Sequence, residues 1–135
     1  MSTIFSRIVS GEIPSHKVAE NEDFFAFLDI NPLVKGHALV IPKLEVDYIF
    51  DLDDNTLAGL HVFSKKVAKA IEAAIPCERI GVSVIGLEVP HAHVHLIPMQ
   101  SMEDVNFSRM KLDPSQDELK ETASLIAAEY DKLFT

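Results

Sequence analysis

The sequence contains a single cysteine, Cys77, among its 135 residues. One cysteine excludes a disulfide within the chain, and it also excludes the zinc sites that are built on pairs of cysteines. No apolar stretch reaches the roughly 20 residues that a membrane-spanning helix needs. The N-terminal segment lacks the hydrophobic core of a secretion signal. We therefore expect a cytoplasmic protein that does not act on a membrane.

Positive charge is scarce as well. The 12 lysines and arginines are outnumbered by 21 aspartates and glutamates, which gives a formal net charge of −9. Nucleic-acid-binding proteins draw much of their affinity from clustered Lys and Arg, so nucleic acid is not an expected partner. A small anionic substrate is compatible with this charge if cationic groups are concentrated at its site.

Linkers, repeats and low-complexity tracts are also missing. Hydrophobic residues make up 47% of the chain and charged residues 24%, which is the balance of an ordinary globular protein. A chain of 135 residues is long enough to bury a core and is typical of one domain. We predict a single domain over residues 1–135.

What the sequence does have is a row of three histidines, His91, His93 and His95, in a chain with only six. Alternate residues of a β-strand point to the same face at intervals of about 6.6 Å, so a strand here places the three imidazoles side by side. A charged imidazole loses its hydration on burial, and a neutral one needs hydrogen-bond partners. The row therefore requires an explanation.

Three explanations fit the residues alone. A neutral imidazole held in one tautomer is a nucleophile or an acid–base group, neighbouring imidazoles also converge on metal ions, and a polar, solvent-facing strand is the structural alternative. No cysteine pair and no carboxylate motif accompanies the row, which disfavours a metal site. On the residues alone, the metal site stays open as an alternative.

Apolar periodicity and turn residues predict an α+β domain. Helices are predicted from Ser2 or Thr3 to about Ser10, over 53–74 and from Asp113-Pro114 to the C-terminus. Strands are predicted over 16–20, 24–29, 36–43, 79–85 and 92–99. Short connections between them favour a mainly antiparallel sheet of about five strands, with a long central helix. Residues 100–135 form an extension, an irregular loop over 100–112 followed by the C-terminal helix.

The motifs resemble those of the histidine triad (HIT) family. The run His-x-His-x-His over 91–95, with hydrophobic residues between the histidines and Leu-Ile after them, is similar to the signature of that family. Three further segments resemble the Hint-type branch of the family, namely IFSRIVSGEIPSHKV, FFAFLDINP and KGHALVIPK, in the same order and at similar spacing. The resemblance covers about residues 3–99 and does not extend to the C-terminal helix.

This resemblance implies hydrolysis or transfer at the α-phosphorus of a purine nucleotide conjugate, such as a nucleoside phosphoramidate. It also implies chemistry that needs no metal, so we expect neither a metal nor another cofactor. By position, His93 is the nucleophile that forms a nucleotidyl intermediate, and it must be neutral with one nitrogen held by a carbonyl. His95 then donates to a non-bridging phosphate oxygen, where charge builds up. His91 and His37 orient the row. The resemblance also implies a homodimer with one sheet continued across a twofold axis. Helix 53–74 has enough apolar surface to contribute to this interface, and a core role is compatible with the same surface.

Nucleotide-binding residues are carried over in the same way. Asp29 matches the acidic residue that accepts hydrogen bonds from the ribose hydroxyls, with capping of the following turn as its alternative. The apolar base pocket is matched by Ile30, Leu28, Phe27, Phe5 and Ile8. For Phe5, Phe27 and Ile8 a core role is equally compatible, because pocket walls and cores are made of the same residue types.

The loop before the histidines departs from the family. Hint-type proteins have a longer, glycine-rich approach with a Gln and a Ser or Thr that contact the phosphate and the leaving group. Here Leu87 and Glu88 stand in a shorter segment, Gly86 to Pro90. Glu88 and Val89 are nevertheless candidates for substrate contact, and an ionised Glu88 suits a leaving amine better than a phosphate. Two other functions therefore compete with a phosphoramidase: a dinucleoside polyphosphate hydrolase and a nucleotide-binding protein with weak catalysis.

Overall fold

The computed structural model describes residues 2–135. Its helices are α1 (Ile4–Val9), α2 (Asp54–Ala74) and α3 (Gln116–Phe134), and its strands are β1 (Lys17–Glu20), β2 (Phe24–Leu28), β3 (Ala38–Pro42), β4 (Arg79–Ser83) and β5 (Val94–Met99). Two 3₁₀ turns lie at Ile49–Asp51 and Met102–Val105. Within the described residues, no helix combines the length and the apolar character that crossing a membrane requires.

The five strands form one antiparallel sheet in the order β1-β2-β3-β5-β4. β5 lies between β3 and β4, and in its register His95 is opposite Leu39 on one side and Ser83 on the other. This architecture confirms the predicted α+β fold with a mainly antiparallel sheet of about five strands, a long helix and a C-terminal helix.

The two faces of the sheet are covered differently. On one face, buried residues of α2 and α3 pack with inward-facing strand residues in a large apolar cluster, for example Leu60, Val67, Leu119 and Ile126. The other face carries α1 and a smaller cluster of Phe5, Phe25, Phe27, Leu39 and Ile41. β2 shows the alternation directly, because Phe24, Ala26 and Leu28 belong to the first cluster and Phe25 and Phe27 to the second.

The predicted start of β5 is wrong by two residues, because the strand begins at Val94 rather than at position 92. Continuing the register of β3 with β5 would set Ala92 opposite Pro42, and proline has no N–H to donate to a ladder. Ala92 instead donates to the carbonyl of Val46 at 2.7 Å. His91 and His93 therefore precede the strand, although the alternation of faces continues through them, since Ala92 and Val94 both lie in the helix-side core.

The predicted start of the C-terminal helix is also wrong. Ser115, not Asp113, is the N-cap of α3, and its side chain accepts a hydrogen bond from the Glu118 N–H at 3.1 Å. The chain before it is tied down elsewhere, since the Leu112 N–H donates to the carbonyl of Pro32 at 2.9 Å. The preceding loop, 100–112, is not wholly irregular either, because it includes the second 3₁₀ turn.

Candidate functional site

Four histidines come together on the sheet face that α2 and α3 leave free. His37, which immediately precedes β3, joins His91, His93 and His95, and all four side chains are buried. Burial of four imidazoles is tolerated because each ring has hydrogen-bond partners. Those partners also determine which ring nitrogen carries the proton.

His93 is held by a main-chain carbonyl. Its Nδ1 lies 2.7 Å from the carbonyl oxygen of His91, and since a carbonyl can only accept, Nδ1 must carry the proton. In the neutral ring the lone pair is then on Nε2. The Phe5 ring packs edge-on against the imidazole with centroids 5.1 Å apart, which fixes the ring further. His93 therefore has the tautomer that a nucleophilic Nε2 requires.

His95 receives its tautomer through a chain of three groups. The backbone N–H of Leu33 donates to Nδ1 of His37 at 3.0 Å, so the proton of neutral His37 is on Nε2. That nitrogen lies 2.9 Å from Nδ1 of His95 and donates to it. The proton of His95 is thus on Nε2, where it is available to an acceptor in the site.

Burial keeps these two rings neutral. It lowers the pKa of His37 to about 3 and that of His95 to about 4, with the neighbouring imidazole adding to each shift. Near neutral pH both rings are therefore hydrogen-bond donors without a charge. They can therefore donate hydrogen bonds to a ligand that is already in the site, but they have no net charge with which to attract an anion from solution.

His91 has both nitrogens occupied. Nε2 donates to the carbonyl of Pro42 at 2.8 Å, and Nδ1 accepts from the hydroxyl of Thr3 at 2.8 Å. Glu45 supports this arrangement by accepting from the Thr3 N–H at 2.8 Å and the Ser6 hydroxyl at 2.6 Å, and these bonds hold the pKa of Glu45 below its ordinary value. His91 thus anchors the row to α1 and is not free to react.

A cavity of about 410 Å³ opens beside His93 and His95. All eight of the predicted nucleotide-binding residues line it: Phe5, Ile8, Phe27, Leu28, Asp29, Ile30, Glu88 and Val89. Leu28 differs from the other predicted base-pocket residues, because its side chain is buried in the helix-side core. Neighbouring residues of a strand face opposite sides of the sheet, so its side chain points away from the face of Phe27. Ile30 is 56% exposed at the rim.

Asp29 lies at the wall of this cavity with its side chain 23% exposed. One carboxylate oxygen accepts from the Asn31 N–H at 2.9 Å, and the other lies 3.8 Å from Nε2 of His37. Burial raises the pKa of Asp29 above its ordinary value. The carboxylate thus has acceptor capacity left for a ligand, while it also caps the turn that follows β2.

Asp29, His37 and His95 are close enough to suggest a metal site, with one ligand atom of each within 4.8 Å of the others. The hydrogen bonds do not fit this role. Because the Leu33 N–H occupies Nδ1 of His37, the ring proton is on Nε2, the nitrogen that faces the other two groups, and a protonated nitrogen is not a metal ligand. These bonds instead fix the orientation of His95, because Leu33 orients His37 and His37 orients His95.

The segment after β5 contributes two residues that the sequence did not reveal. Phe107 packs edge-on against His95 and His37, with ring centroids 4.8 and 6.2 Å away, and Lys111 lines the cavity. An aromatic residue and a lysine in a polar, aperiodic segment carry no local signal of such contacts. The loop before the histidines, in contrast, exposes Leu87 by 89%, and Glu88 is exposed at the rim of the cavity.

Comparison with known proteins gives consistent matches. The family model described as "HIT domain" matches residues 10–102. The adenosine 5′-monophosphoramidase of Schizosaccharomyces pombe is 43% identical over 105 residues, which cover 76% of this chain and 78% of that protein. An uncharacterised HIT-like protein of Methanocaldococcus jannaschii is 37% identical over 127 residues, covering 87% of this chain and 96% of that one.

Solved structures resemble the whole described fold. A Hit-like protein involved in cell-cycle regulation from Bartonella henselae superposes with a TM-score of 0.81 at 33% identity, over 95% of this chain and 96% of that one. A zinc-bound histidine triad family protein from Mycobacterium smegmatis gives a TM-score of 0.82 at 28% identity, over 98% of this chain and 96% of that one. The similarity therefore includes α3, for which the sequence motifs gave no match.

Proposed function

Because this chain belongs to the histidine triad family, we propose that it hydrolyses or transfers at the α-phosphorus of a purine nucleotide conjugate, such as a nucleoside phosphoramidate. The observation that carries the proposal is the 2.7 Å contact between His93 Nδ1 and the His91 carbonyl. It leaves the lone pair of His93 on Nε2, and His93 lines the cavity of about 410 Å³. The phosphoramidase relative from Schizosaccharomyces pombe supports the same substrate class.

The proposed reaction has two steps. His93 Nε2 attacks the α-phosphorus, the bond from phosphorus to the leaving nitrogen breaks, and the amine departs after taking up a proton from water. Water then attacks the phosphorus and loses a proton to the solvent, the bond to His93 breaks with its electron pair returning to Nε2, and a nucleoside monophosphate is released. His95 donates its Nε2 proton as a hydrogen bond to a non-bridging oxygen, where negative charge grows in each step.

The Nδ1 bond of His93 has a second role in this scheme. Once Nε2 is bonded to phosphorus, the imidazole carries a positive charge, and a charged donor makes the stronger hydrogen bond. The His91 carbonyl at 2.7 Å therefore stabilises the intermediate more than the resting ring. Asp29 accepts from the ribose hydroxyls, and the apolar residues Phe5, Ile8 and Phe27 enclose the base, in line with their positions around the cavity.

Intact-protein mass spectrometry after brief mixing with an adenosine phosphoramidate tests the proposal. Wild type is expected to gain the mass of one adenylyl group, and His93→Ala is expected to gain none. His61→Ala is the matched control, since His61 is exposed on α2, and it should form the adduct at the wild-type level.

Two other results would replace the proposal. Nucleotide binding without adduct or hydrolysis would make the protein a nucleotide-binding member of the family. The exposed Leu87 and the acidic Glu88 would then explain the absence of catalysis. Cleavage of a diadenosine polyphosphate, with the phosphoramidate left intact, would make it a dinucleoside polyphosphate hydrolase.

We also propose that the protein is a homodimer that joins two sheets through β4. β4 is an edge strand, so its outer N–H and C=O groups are available for pairing. Val82 on β4 is 61% exposed and Val62 on α2 is 57% exposed, which supplies apolar area nearby. Sedimentation velocity should give about twice the mass of one chain, and a monomer at working concentrations would contradict the proposal.

One broader proposal accompanies these. We propose that residues 1–135 form a single domain, because buried residues of α3 such as Ile126 share one apolar cluster with α2 and with strand residues such as Val40. Action in the cytoplasm stays a prediction from the sequence.

A further inference from the structure

The charges around the cavity are unusual for a site that takes a phosphate. Two of its lining residues, Asp29 and Glu88, are acidic, and Lys111 is the one lysine or arginine that lines it within the described residues 2–135. His95 is neutral near pH 7, since burial lowers its pKa to about 4. In a chain with a net charge of −9, a bound phosphate therefore has one permanent cation beside it.

Lys111 belongs to a segment that is fastened to the body of the fold. Just before it, Arg109 donates to Asp104 at 3.1 Å and also to the Leu33 carbonyl. Just after it, the Leu112 N–H donates to the Pro32 carbonyl at 2.9 Å. The backbone at Lys111 is thus held on both sides by contacts to the β2–β3 connection, the same connection that supplies Leu33 to the histidine chain.

The ammonium group itself is available to a ligand. Lys111 is exposed, and its Nζ donates to the carbonyl of Phe107 at 3.0 Å. None of the salt bridges among residues 2–135 includes it. Its charge is nevertheless felt in the site. Burial raises the pKa of Asp29 and lowers that of His37, and the positive charge of Lys111 opposes the first shift and adds to the second. A lysine has two more protons to donate and a flexible stem with which to reach a ligand.

We infer that Lys111 binds the phosphate of the nucleotide and makes the site selective for nucleoside 5′-phosphates and their conjugates over uncharged nucleosides. This inference rests on the proposed function, because it assumes that a nucleotide occupies the cavity. Lys111 lies in the segment after β5 and supplies the positive charge that the loop 86–90 lacks, since the Leu87 side chain has no hydrogen-bond donor and Glu88 is acidic. Specificity for the charged group therefore comes from a different part of the chain than specificity for the base.

Calorimetric titration with AMP and with adenosine tests this assignment. Lys111→Met keeps most of the side-chain stem and removes the charge. It is expected to weaken AMP binding about tenfold, the size of a charge-assisted hydrogen bond reduced by solvent exposure, and to leave adenosine binding unchanged. Lys111→Arg should restore most of the AMP affinity. Lys35→Met is the matched control, because Lys35 lines a second cavity that shares Asp29 and His37 and its removal makes the same change in net charge.

Each other outcome is decisive. If wild type binds AMP and Lys111→Met binds it equally well, the inference is wrong while the proposed function stands. Equal losses in Lys111→Met and Lys35→Met would show an effect of net charge alone and would overturn the assignment to Lys111. An equal loss for AMP and adenosine would give Lys111 a packing role instead. If wild type binds neither ligand and forms no adduct, both the inference and the proposed function fail.

Discussion

The two faces of the sheet are formed by the same strands but bury different kinds of side chain. The face under α2 and α3 buries aliphatic and aromatic residues such as Leu60, Val67 and Ile126, each with 0% exposure. The other face buries four imidazoles, and no side-chain N or O atom buried among residues 2–135 lacks a hydrogen-bond partner. Both faces gain stability through apolar burial, and the second face in addition holds the four imidazoles in fixed tautomers at a cost in desolvation.

This difference shows which contacts determine stability and which determine the tautomers of the histidines. Apolar burial depends on volume and is shared among many side chains. The tautomers of His93 and His95 depend on two single contacts, the His91 carbonyl and the Leu33 N–H. Substitutions in the helix-side cluster should therefore act on the free energy of unfolding, and substitutions at His93 and His95 should act mainly on turnover.

The largest expected effect is on turnover, at His93. Replacement by Ala removes the nucleophile and should lower kcat about 10⁴-fold or more, as loss of a nucleophile does in other enzymes with covalent intermediates. The free energy of unfolding should change far less. Steady-state kinetics and urea denaturation on the same preparation measure both quantities, and a His93→Ala variant with wild-type kcat would remove the distinction between the faces.

Leu60→Ala makes the reverse change on the helix-covered face. Leu60 is fully buried in the large cluster, so the truncation should lower the free energy of unfolding by about 2–5 kcal/mol. Turnover per folded molecule should stay near wild type at a temperature where the variant is folded. Urea denaturation gives the first value. A kcat that falls in parallel with stability would mean that the two faces are coupled.

The third prediction concerns pH. His37 and His95 have pKa values of about 3 and 4 in the folded protein, against about 6.5 in an unfolded chain. The unfolded state thus binds more protons below pH 6.5, and stability falls as the pH falls. From pH 7 to pH 5 each imidazole should cost about 2 kcal/mol, while most carboxylates remain ionised.

Urea denaturation of wild type and His37→Gln at both pH values isolates one imidazole. The drop in stability between pH 7 and pH 5 should be about 2 kcal/mol smaller in the variant, because one titrating group has been removed. The raised pKa of Asp29 acts in the opposite direction, since a carboxyl that binds its proton more tightly when folded gains stability as the pH falls. An equal drop in both proteins would show that His37 is not buried in its neutral form.

The smallest effect is expected at Thr3, which contributes both to helix stability and to the hydrogen bonds of the histidine row. Thr3→Val keeps the shape of the side chain but removes both the cap of α1 and the donor to His91 Nδ1. Stability should fall by about 1–2 kcal/mol, and kcat should fall only a few-fold, because the His91 carbonyl remains. Thr3→Ser is the matched control that keeps the hydroxyl. If Ser and Val behaved alike in urea denaturation, the hydroxyl would have no role.

The fold and the family could be predicted from the sequence because their signals are local. The alternation at 91–97 and the apolar stripe of α2 each need only a few neighbouring residues to be recognised. Phe107 and Lys111 were not found because their position depends on contacts between distant segments, such as that of Arg109 with Leu33, 76 residues apart in the chain. The start of β5 was misplaced for a similar reason, since it depends on Pro42 in the neighbouring strand.

The carbonyl that holds His93 belongs to the main chain of His91. Every residue that could replace His91 also has a main-chain carbonyl, so no single substitution at this position removes the acceptor. Drift in the surrounding side chains, including the loop 86–90, can therefore change which substrates are accepted while the proton on His93 stays where it is. The acceptor that fixes the proton of His93 is therefore inherited with the backbone, whereas the side chains of the loop 86–90 can change without affecting it.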